Sequence, residues 1–330
     1  MVTVVITAYN HERFIARAVE SVLAQEAPFP FDVIVIDDHS DDRTVEIVQQ
    51  VTRADPDRLD LRVSPVNRND HQDFGRALDE CTTPYVAMLD GDDYWIAPDK
   101  LARQVALLED HPEFALVCHP VRLVDEDDLP QGVQPETTEA RYVRDDLWSS
   151  CFVHTGSTVF RRAAYSTLPA WYYDSEFGDW ELFLLLTRQG DIAVIDEAMS
   201  AYRIHHGGGW SGIEESRKAE QTHAFYDHMA RAWGREFRSN RAAMQSRAAT
   251  LAYRYGLDEG GRIPWRWTIE AVIRAHRPGA SPHAPTRRET LALLAWQLRR
   301  ARRRLSRRRR HGSRTRRPAR EGGPGASGVG

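Results

Sequence analysis

The chain has 330 residues, 42% of them hydrophobic and 28% charged, with a formal net charge of −4, which is the composition of an ordinary globular protein. Its apolar runs are near ten residues, too short to cross a bilayer, and the N-terminus begins directly with a strand-like run instead of a basic, cleavable leader. The three cysteines are scattered without CxxC spacing, which argues against a structural zinc site and a disulfide framework. We therefore expect a cytoplasmic protein.

Strands and helices alternate along the first 121 residues. Apolar, β-branched runs predict strands at 2–8, 31–37, 59–64, 85–90 and 114–121, and helical spacing predicts helices at 14–23, 44–51, 74–81 and 98–111. The first strand is apolar on both faces, as in a buried parallel sheet. The alternation predicts an α/β fold with a doubly wound, mostly parallel sheet.

The pattern changes after residue 121. Residues 125–140 read as a loop, followed by strands at 155–161, 192–195 and 200–205 and a helix at 180–189. From residue 213 onward the periodicity is helical. We therefore expect three parts: an α/β domain at 1–212, a helical C-terminal region at 213–298, and a disordered, arginine-rich tail at 299–330.

The tail carries a strong charge asymmetry. Residues 299–320 contain 13 arginines and no acid, so residues 1–298 keep 31 basic against 47 acidic residues, about −16. One interpretation is attachment to an anionic membrane surface, at about 1 kcal/mol per basic residue near the lipid. Others are nonspecific contact with nucleic acid or a solvated tail. We favour peripheral membrane association and expect no specific nucleic-acid partner.

Acidic and polar residues follow three of the predicted strands. Strand one ends in Thr7-Ala8-Tyr9-Asn10, strand two in Asp37-Asp38, and strand four in Asp90-Gly91-Asp92-Asp93. Ligands bind outside the carboxyl ends of strands in open α/β sheets, so parallel neighbours would bring these groups together. Such a cluster suits Mg²⁺ or Mn²⁺ together with hydroxyl-rich ligand groups. The alternative is a turn whose aspartate caps the next helix.

Three segments in this order, TAYNHERFIARAVESVLAQ, FDVIVIDDHSDDRT and YVAMLDGDDYW, resemble the inverting glycosyltransferases of family 2, which have a GT-A fold. The resemblance covers about residues 2–210. It implies that a nucleotide pocket is lined by Thr7, Tyr9 and Asn10, that Asp38 with Asp37 contacts the base, usually uracil, and that Asp90 lies near the ribose. It also implies that Asp92 ligates a divalent cation under the diphosphate, accompanied by Asp93.

The resemblance also implies a catalytic base in the segment DSEFGDWELFLLLT. The matching residue is Asp179, at the start of a predicted helix. Gly178 stands where the family usually has glutamate, which is a departure from the pattern. The simpler interpretation is that Asp179 is a helix N-cap, and the two roles are compatible. A hydroxyl acceptor needs such a base because its own pKa is far above 7.

The segment AYRIHHGGGWSG formally contains GxGxxG, but it lies too late in the chain, and outside an N-terminal βαβ unit, to be a dinucleotide-binding motif. A lid over the donor fits better. Arg203 could reach the diphosphate, His205 could serve as a further metal ligand, and Trp210 could cover the sugar. Surface histidines and core packing are the alternatives for the last two residues.

Together these features predict metal-dependent transfer of a sugar from a nucleotide donor, with UDP as the expected nucleotide, to a hydroxyl acceptor that is a saccharide or is lipid-linked, as in cell-envelope polysaccharide synthesis. One alternative is a nucleotidyltransferase, although the glycine-rich basic loop typical of that class is missing from TAYNHERF. Another is a nucleic-acid-binding protein, which rests on the tail alone.

Overall fold

The computed structural model describes residues 2–234 except 55, 69–70, 137–138, 149, 215–216, 219 and 223, together with residues 291, 294–295 and 298. Most of the predicted helical region 213–298 and all of the tail 299–330 therefore lie outside the described residues. Within the described part, no helix has the length and hydropathy needed to cross a membrane.

Two sheets organise the fold. The strands are β1 Val2–Ala8, β2 Phe31–Asp37, β3 Leu59–Val63, β4 Tyr85–Asp90, β5 Tyr94–Trp95, β6 Phe114–Cys118, β7 Val121–Val124, β8 Pro130–Gln134, β9 Arg141–Tyr142, β10 Val159–Arg161, β11 Asp191–Val194 and β12 Ser200–Arg203. The helices are α1 Ile15–Leu23, α2 Thr44–Ala54, α3 Gln72–Glu80, α4 Lys100–Asp110, α5 Arg144–Leu147 and α6 Asp179–Leu186.

The large sheet has the order β3-β2-β1-β4-β10-β6-β11-β9, and the small sheet has the order β5-β12-β7-β8. Strands β3, β2, β1 and β4 are mutually parallel, whereas β10 runs antiparallel to β4 and β6. Apolar side chains cover both faces of this sheet in two separate core clusters. The predicted α/β fold with a doubly wound, mostly parallel sheet is confirmed, and the sheet is mixed beyond β4.

Three sequence-based predictions in the middle of the chain were wrong in detail. The strand predicted at 114–121 is split: β6 ends at Cys118 and β7 begins in the other sheet at Val121, because Pro120 has no N–H to continue a ladder. The loop predicted at 125–140 contains β8, whose residues are all exposed and so carry no apolar pattern. The strand predicted at 155–161 is a 3₁₀ turn at Thr155–Ser157 followed by the short β10.

Helix α6 is enclosed by protein on all sides, with every residue from Trp180 to Leu186 buried. The described residues between 217 and 234 are helical and pack against it. Trp180 stacks on Phe225 with ring centroids 4.1 Å apart, and Trp233 lies edge-on to Trp148 at 5.2 Å. The described start of the C-terminal helical extension thus packs on the helix that begins at Asp179.

Candidate active site

The carboxyl ends of β1, β2 and β4 lie side by side, as parallel pairing requires. Ala8 is in register with Asp37, and Thr7 is in register with Asp90. The Thr7 hydroxyl donates a hydrogen bond of 2.9 Å to Asp90 Oδ1. The structure therefore brings together the strand ends that the sequence singled out.

The turn after β2 is joined to the end of β1 by hydrogen bonds. Asn10, in the left-handed region at φ 56°, donates its backbone N–H to Ser40 Oγ at 2.9 Å. Ser40 donates from its backbone and hydroxyl to the fully buried Asp37, at 2.8 and 2.5 Å. The Asp37 carboxylate is thus already hydrogen-bonded within the turn. Tyr9, which is 41% exposed, and the half-buried Asp38 are accessible to a ligand.

Asp92 lies between two histidines. His205 Nε2 hydrogen-bonds to Asp92 Oδ2 at 2.8 Å, and His11 Nε2 lies 3.8 Å from the same oxygen. Burial would raise the pKa of Asp92, but the His205 hydrogen bond and the charge of His11 outweigh it and lower this pKa. The imidazole of His11 also contacts the turn, since a Cβ on Gly91 would lie 2.9 Å from His11 Nδ1. Asp92 is therefore held as a carboxylate beside an imidazole.

The two neighbouring aspartates favour the protonated form. Burial, followed by the charge of Asp92, raises the pKa of Asp90 to about 7, although hydrogen bonds from Thr7 and Thr155 oppose the shift. Burial and the charges of Asp92 and Asp90 also raise the pKa of Asp93. Three carboxyl groups this close repel one another, so a cation or a set of hydroxyl donors placed among them would be stabilised.

Asp179, the first residue of α6, lies beside the acidic cluster. Burial raises its pKa to about 6. Its Oδ1 accepts the backbone N–H of Trp180 at 2.6 Å, and its Oδ2 accepts the Thr155 hydroxyl at 3.3 Å. Its charge contributes to the raised pKa of Asp90. Thr155 thus links the residue predicted as base to the acidic cluster, which has come from a distant part of the chain.

The residue before Asp179 must be glycine here. Gly178 has φ 74°, and a Cβ at that position would lie 2.5 Å from Nδ1 of His71. A side chain such as the family's usual glutamate would therefore meet both backbone strain and the His71 ring. Gly178 departs from the family pattern at a place where the His71 ring occupies the space that a side chain would need.

The last predicted residues lie on β12 and the loop after it. Trp210 is 43% exposed, and its ring lies 5.5 Å from that of Phe177, two residues before Asp179. Arg203 is only 3% exposed, and its guanidinium contacts backbone carbonyls and a carboxylate of the protein. A diphosphate contact by Arg203 would require those bonds to be exchanged, and this contact stays a prediction.

Asp92 and His205 fit a divalent cation. A buried carboxylate kept ionised next to an imidazole supplies one oxygen and one nitrogen ligand, a set that Mn²⁺ accepts. Within the described ranges, no three His, Cys, Asp or Glu side chains are grouped so that they alone could hold a metal ion. The further ligands would therefore come from a bound molecule such as a diphosphate.

Sequence reasoning missed three residues of the site: His11, Thr155 as a link between carboxylates, and Phe177. His11 directly follows Tyr9 and Asn10, so its position after β1 was the available signal. Thr155 lies in a 3₁₀ turn that was interpreted as a strand. Nothing in the local pattern marks Phe177 as a contact of Trp210, because 33 residues separate them.

Comparison with known proteins shows the family to which the chain is similar. The model of Glycosyl transferase family 2 matches residues 3–168, half of the chain. An uncharacterized protein of Mycobacterium tuberculosis is 34% identical over 223 residues, which are 67% of this chain and 64% of that protein. The chain thus spans less than two thirds of the length of this relative.

Two solved structures share the fold. Staphylococcus aureus TarS 1–349 in complex with UDP-GlcNAc superposes with a TM-score of 0.55 at 18% identity, over 86% of this chain and 81% of that chain. The mannosyltransferase PcManGT of Pyrobaculum calidifontis, in complex with GDP-Man and Mn²⁺, gives 0.54 at 18% identity, over 91% and 86%. At these identities the likeness shows a GT-A-like fold. Because the family model matches half of the chain, including the strand ends that carry Thr7, Asp37 and Asp90, the chain belongs to glycosyl transferase family 2.

Proposed function

We propose that this protein is an inverting, metal-dependent glycosyltransferase that moves a sugar from a nucleoside diphosphate donor to a hydroxyl acceptor. The observation that carries the proposal is the convergence of Asp90, Asp92 and Asp179 in one cluster. Thr155 joins Asp179 to Asp90, and His205 holds Asp92. Carboxylates from separate parts of the chain thus surround one place where a donor and an acceptor can meet.

The strand ends would bind the nucleotide. Tyr9 and Asp38 are accessible beside the β1 and β2 ends, where Asp38 offers a carboxylate to a base N–H. Asn10 and Asp37 build the turn that positions them. Asp90, oriented by Thr7, would accept hydrogen bonds from ribose hydroxyls. We propose uracil as the base, in line with the family resemblance and with the UDP-GlcNAc complex of TarS.

Asp92 and His205 would hold Mg²⁺ or Mn²⁺, with Asp93 supporting the turn that carries Asp92. Such an ion, when bound, neutralises the charge that develops on a leaving diphosphate. The Mn²⁺ of PcManGT supports this assignment. Trp210, on the loop after β12, would cover the donor sugar and exclude water from the crevice.

Asp179 would act as general base. A pKa of about 6 leaves it ionised at neutral pH yet basic enough to accept a proton from a hydroxyl in the transition state. The Thr155 hydroxyl and the Trp180 N–H fix the orientation of both carboxylate oxygens. One base together with one metal ion would suffice for a single displacement with inversion, which requires no nucleophilic carboxylate.

The chain would divide into three parts, of which the two C-terminal ones would serve the acceptor side. We propose that residues 1–212 form the catalytic domain, that 213–298 form a helical region against it, and that 299–330 form the arginine-rich tail. The acceptor would be a saccharide or lipid-linked hydroxyl of cell-envelope polysaccharide synthesis. The tail would hold the protein at the cytoplasmic face of an anionic membrane. Vesicle binding that is salt-sensitive and needs residues beyond 298 would support the tail's role, and equal binding without them would exclude it.

The function is tested by nucleotide titration of the full chain. We expect UDP to bind in the presence of Mn²⁺, to bind weakly without a divalent ion, and to bind more tightly than GDP. Asp92→Ala should abolish the metal-dependent part, whereas Asp127→Ala, an exposed aspartate, should leave it unchanged. A protein that binds neither nucleoside diphosphate with any divalent ion would refute the proposal. A screen of UDP-sugars for UDP release then identifies the donor.

A further inference from the structure

Arg203 donates several hydrogen bonds within the protein. Its Nε donates to the backbone carbonyl of Asp92 at 2.9 Å, and its own backbone N–H donates to Asp93 Oδ1 at 2.8 Å. One residue therefore holds the main chain of Asp92 and the side chain of Asp93. Arg203, the last residue of β12, therefore fixes the turn that carries the predicted metal ligand Asp92.

The other end of the guanidinium holds a second turn. Between β7 and β8 lies an acidic turn, which we define as residues 125–128. Arg203 Nη1 donates to the carbonyls of Asp125 and Glu126 at 2.9 and 3.4 Å, and Nη2 donates to Asp128 Oδ1 at 2.8 Å. Four of the five guanidinium N–H groups are thus used within the protein.

The acidic turn is itself joined to the N-terminal helix. Arg13 Nη1 pairs with Glu126 Oε2 at 2.8 Å, and Arg17 pairs with Asp128. Glu126 also accepts the backbone N–H of His206, next to His205, at 3.4 Å. The acidic turn therefore contacts α1, Arg203 and the loop that carries His205.

Burial argues against a mobile arginine. The Arg203 side chain is 2% exposed and lies over the Phe14 ring, 4.5 Å from its centroid. Turning it toward a diphosphate would leave the carbonyls of Asp92 and Asp125 without this donor, and a buried carbonyl without a donor is costly. The arrangement is that of a preassembled support.

We propose that Arg203 is a positioning residue, which fixes the Asp92–Asp93 turn and ties it to the acidic turn 125–128, and that it does not bind the donor diphosphate. Asp128 anchors the far end of Arg203, so it contributes to the geometry of Asp92 without touching a ligand. The inference rests on the proposed function only for the identity of what Asp92 binds.

The support itself is tested by amide hydrogen exchange on the full chain without ligand. We expect Arg203→Lys and Asp128→Ala each to speed exchange in residues 90–94 about tenfold, because local opening of the turn becomes easier. Lysine keeps the charge, but its single nitrogen cannot reach the acceptors that the separate nitrogens of the guanidinium contact. Asp127→Ala, its exposed neighbour in the same turn, is the matched control and should leave exchange unchanged. Unchanged exchange in Asp128→Ala would overturn the proposal, whether or not Arg203→Lys folds.

The effect on the site is tested by titrating UDP with and without Mn²⁺. We expect both variants to weaken the Mn²⁺-dependent binding about tenfold, as loss of a partner of a metal ligand does. Metal-free UDP binding should stay within about twofold, and the double variant should be no worse than either single one. Loss of metal-free binding in Arg203→Lys, with Asp128→Ala normal, would identify Arg203 as a diphosphate ligand instead. If the unmodified chain binds no UDP, the proposed function fails, while the exchange data still decide the role of Arg203.

Discussion

Replacing Asp179 by asparagine should abolish transfer and at the same time make the protein more stable. Burial raises the pKa of this carboxyl from 3.8 to about 6, so the folded state disfavours the charge that catalysis needs. Asparagine has the same shape. Its oxygen can accept the Trp180 N–H, and its amide can donate to Thr155, so the two observed hydrogen bonds are replaced without a cavity.

The size of the stability gain follows from the pKa. A rise from 3.8 to about 6 corresponds to about 3 kcal/mol of unfolding free energy lost when both states are ionised. Asp179 is half-buried, so water screens part of this cost and we expect a gain of about 1–3 kcal/mol at pH 7. For a domain of this size that is a rise in Tm of roughly 2–10 °C.

The pH dependence has a definite sign. Between pH 3.8 and about 6 the folded protein binds more protons at Asp179 than the unfolded chain does, so this group makes stability fall as pH rises. The advantage of Asp179→Asn should therefore be full above about pH 6 and vanish below about pH 4. In the unmodified enzyme, kcat/KM should rise about tenfold per pH unit below the pKa of the base and level off above it.

Two measurements check this prediction: UDP release from the donor found in the nucleotide-sugar screen, and thermal unfolding at pH 4 and pH 7. We expect turnover to fall by about 10²–10⁴, with UDP binding retained. Asp174→Asn, at an exposed aspartate in the preceding 3₁₀ turn, is the matched control and should change neither quantity. Turnover within tenfold of the unmodified enzyme would refute the role as base. A lower Tm at pH 7 would refute the electrostatic reasoning.

Three further predictions concern the cation and the core. His205→Ala should weaken Mn²⁺ binding by at least about tenfold, measured by the loss of the free Mn²⁺ electron paramagnetic resonance signal, and an unchanged affinity would exclude His205 as a ligand. His11→Ala should weaken Mn²⁺ binding less than His205→Ala does, since His11 lies farther from Asp92, and the reverse order would contradict this ranking. Lys100 is fully buried, its Nζ has no hydrogen-bond partner among the residues that the structure describes, and burial lowers its pKa, so Lys100→Met should raise the unfolding free energy by about 1–3 kcal/mol in denaturant melts. Lys218→Met is its control, because Lys218 also lies over a tryptophan ring but is only half-buried, and a destabilised Lys100→Met would show that the amine is satisfied.

Much of the first half of the fold could be predicted because its strands are buried on both faces. The bounds of β1, β2 and β4 agree with the apolar runs, and polar residues mark where each run ends. Parallel neighbours then place those ends together without further information. Prediction was weakest where burial leaves no pattern, as in the exposed β8, or where a short turn resembles a strand, as at Thr155–Ser157.

The roles of single side chains also differ in how far the sequence could predict them. Asp92 and Asp179 were proposed because the segments that contain them resemble family motifs, and their roles stay predictions. The contacts of Arg203 could not be predicted, because the residues next to it in sequence do not indicate that it contacts the carbonyls of Asp92 and Asp125. His11 was missed for a similar reason, since its contact with Asp92 joins residues 81 positions apart.

The sequence by itself determined the fold class, the acidic strand ends and the family, since these depend on local periodicity and on short ordered motifs. Only the tertiary structure decided which groups touch. It placed Thr155 between Asp90 and Asp179, engaged Asp37 within its own turn, and buried Arg203 beneath the Asp92–Asp93 turn. The physical reason is that hydrogen bonds and pKa values depend on contacts within a few ångströms, and such contacts join residues that the chain separates by tens of positions.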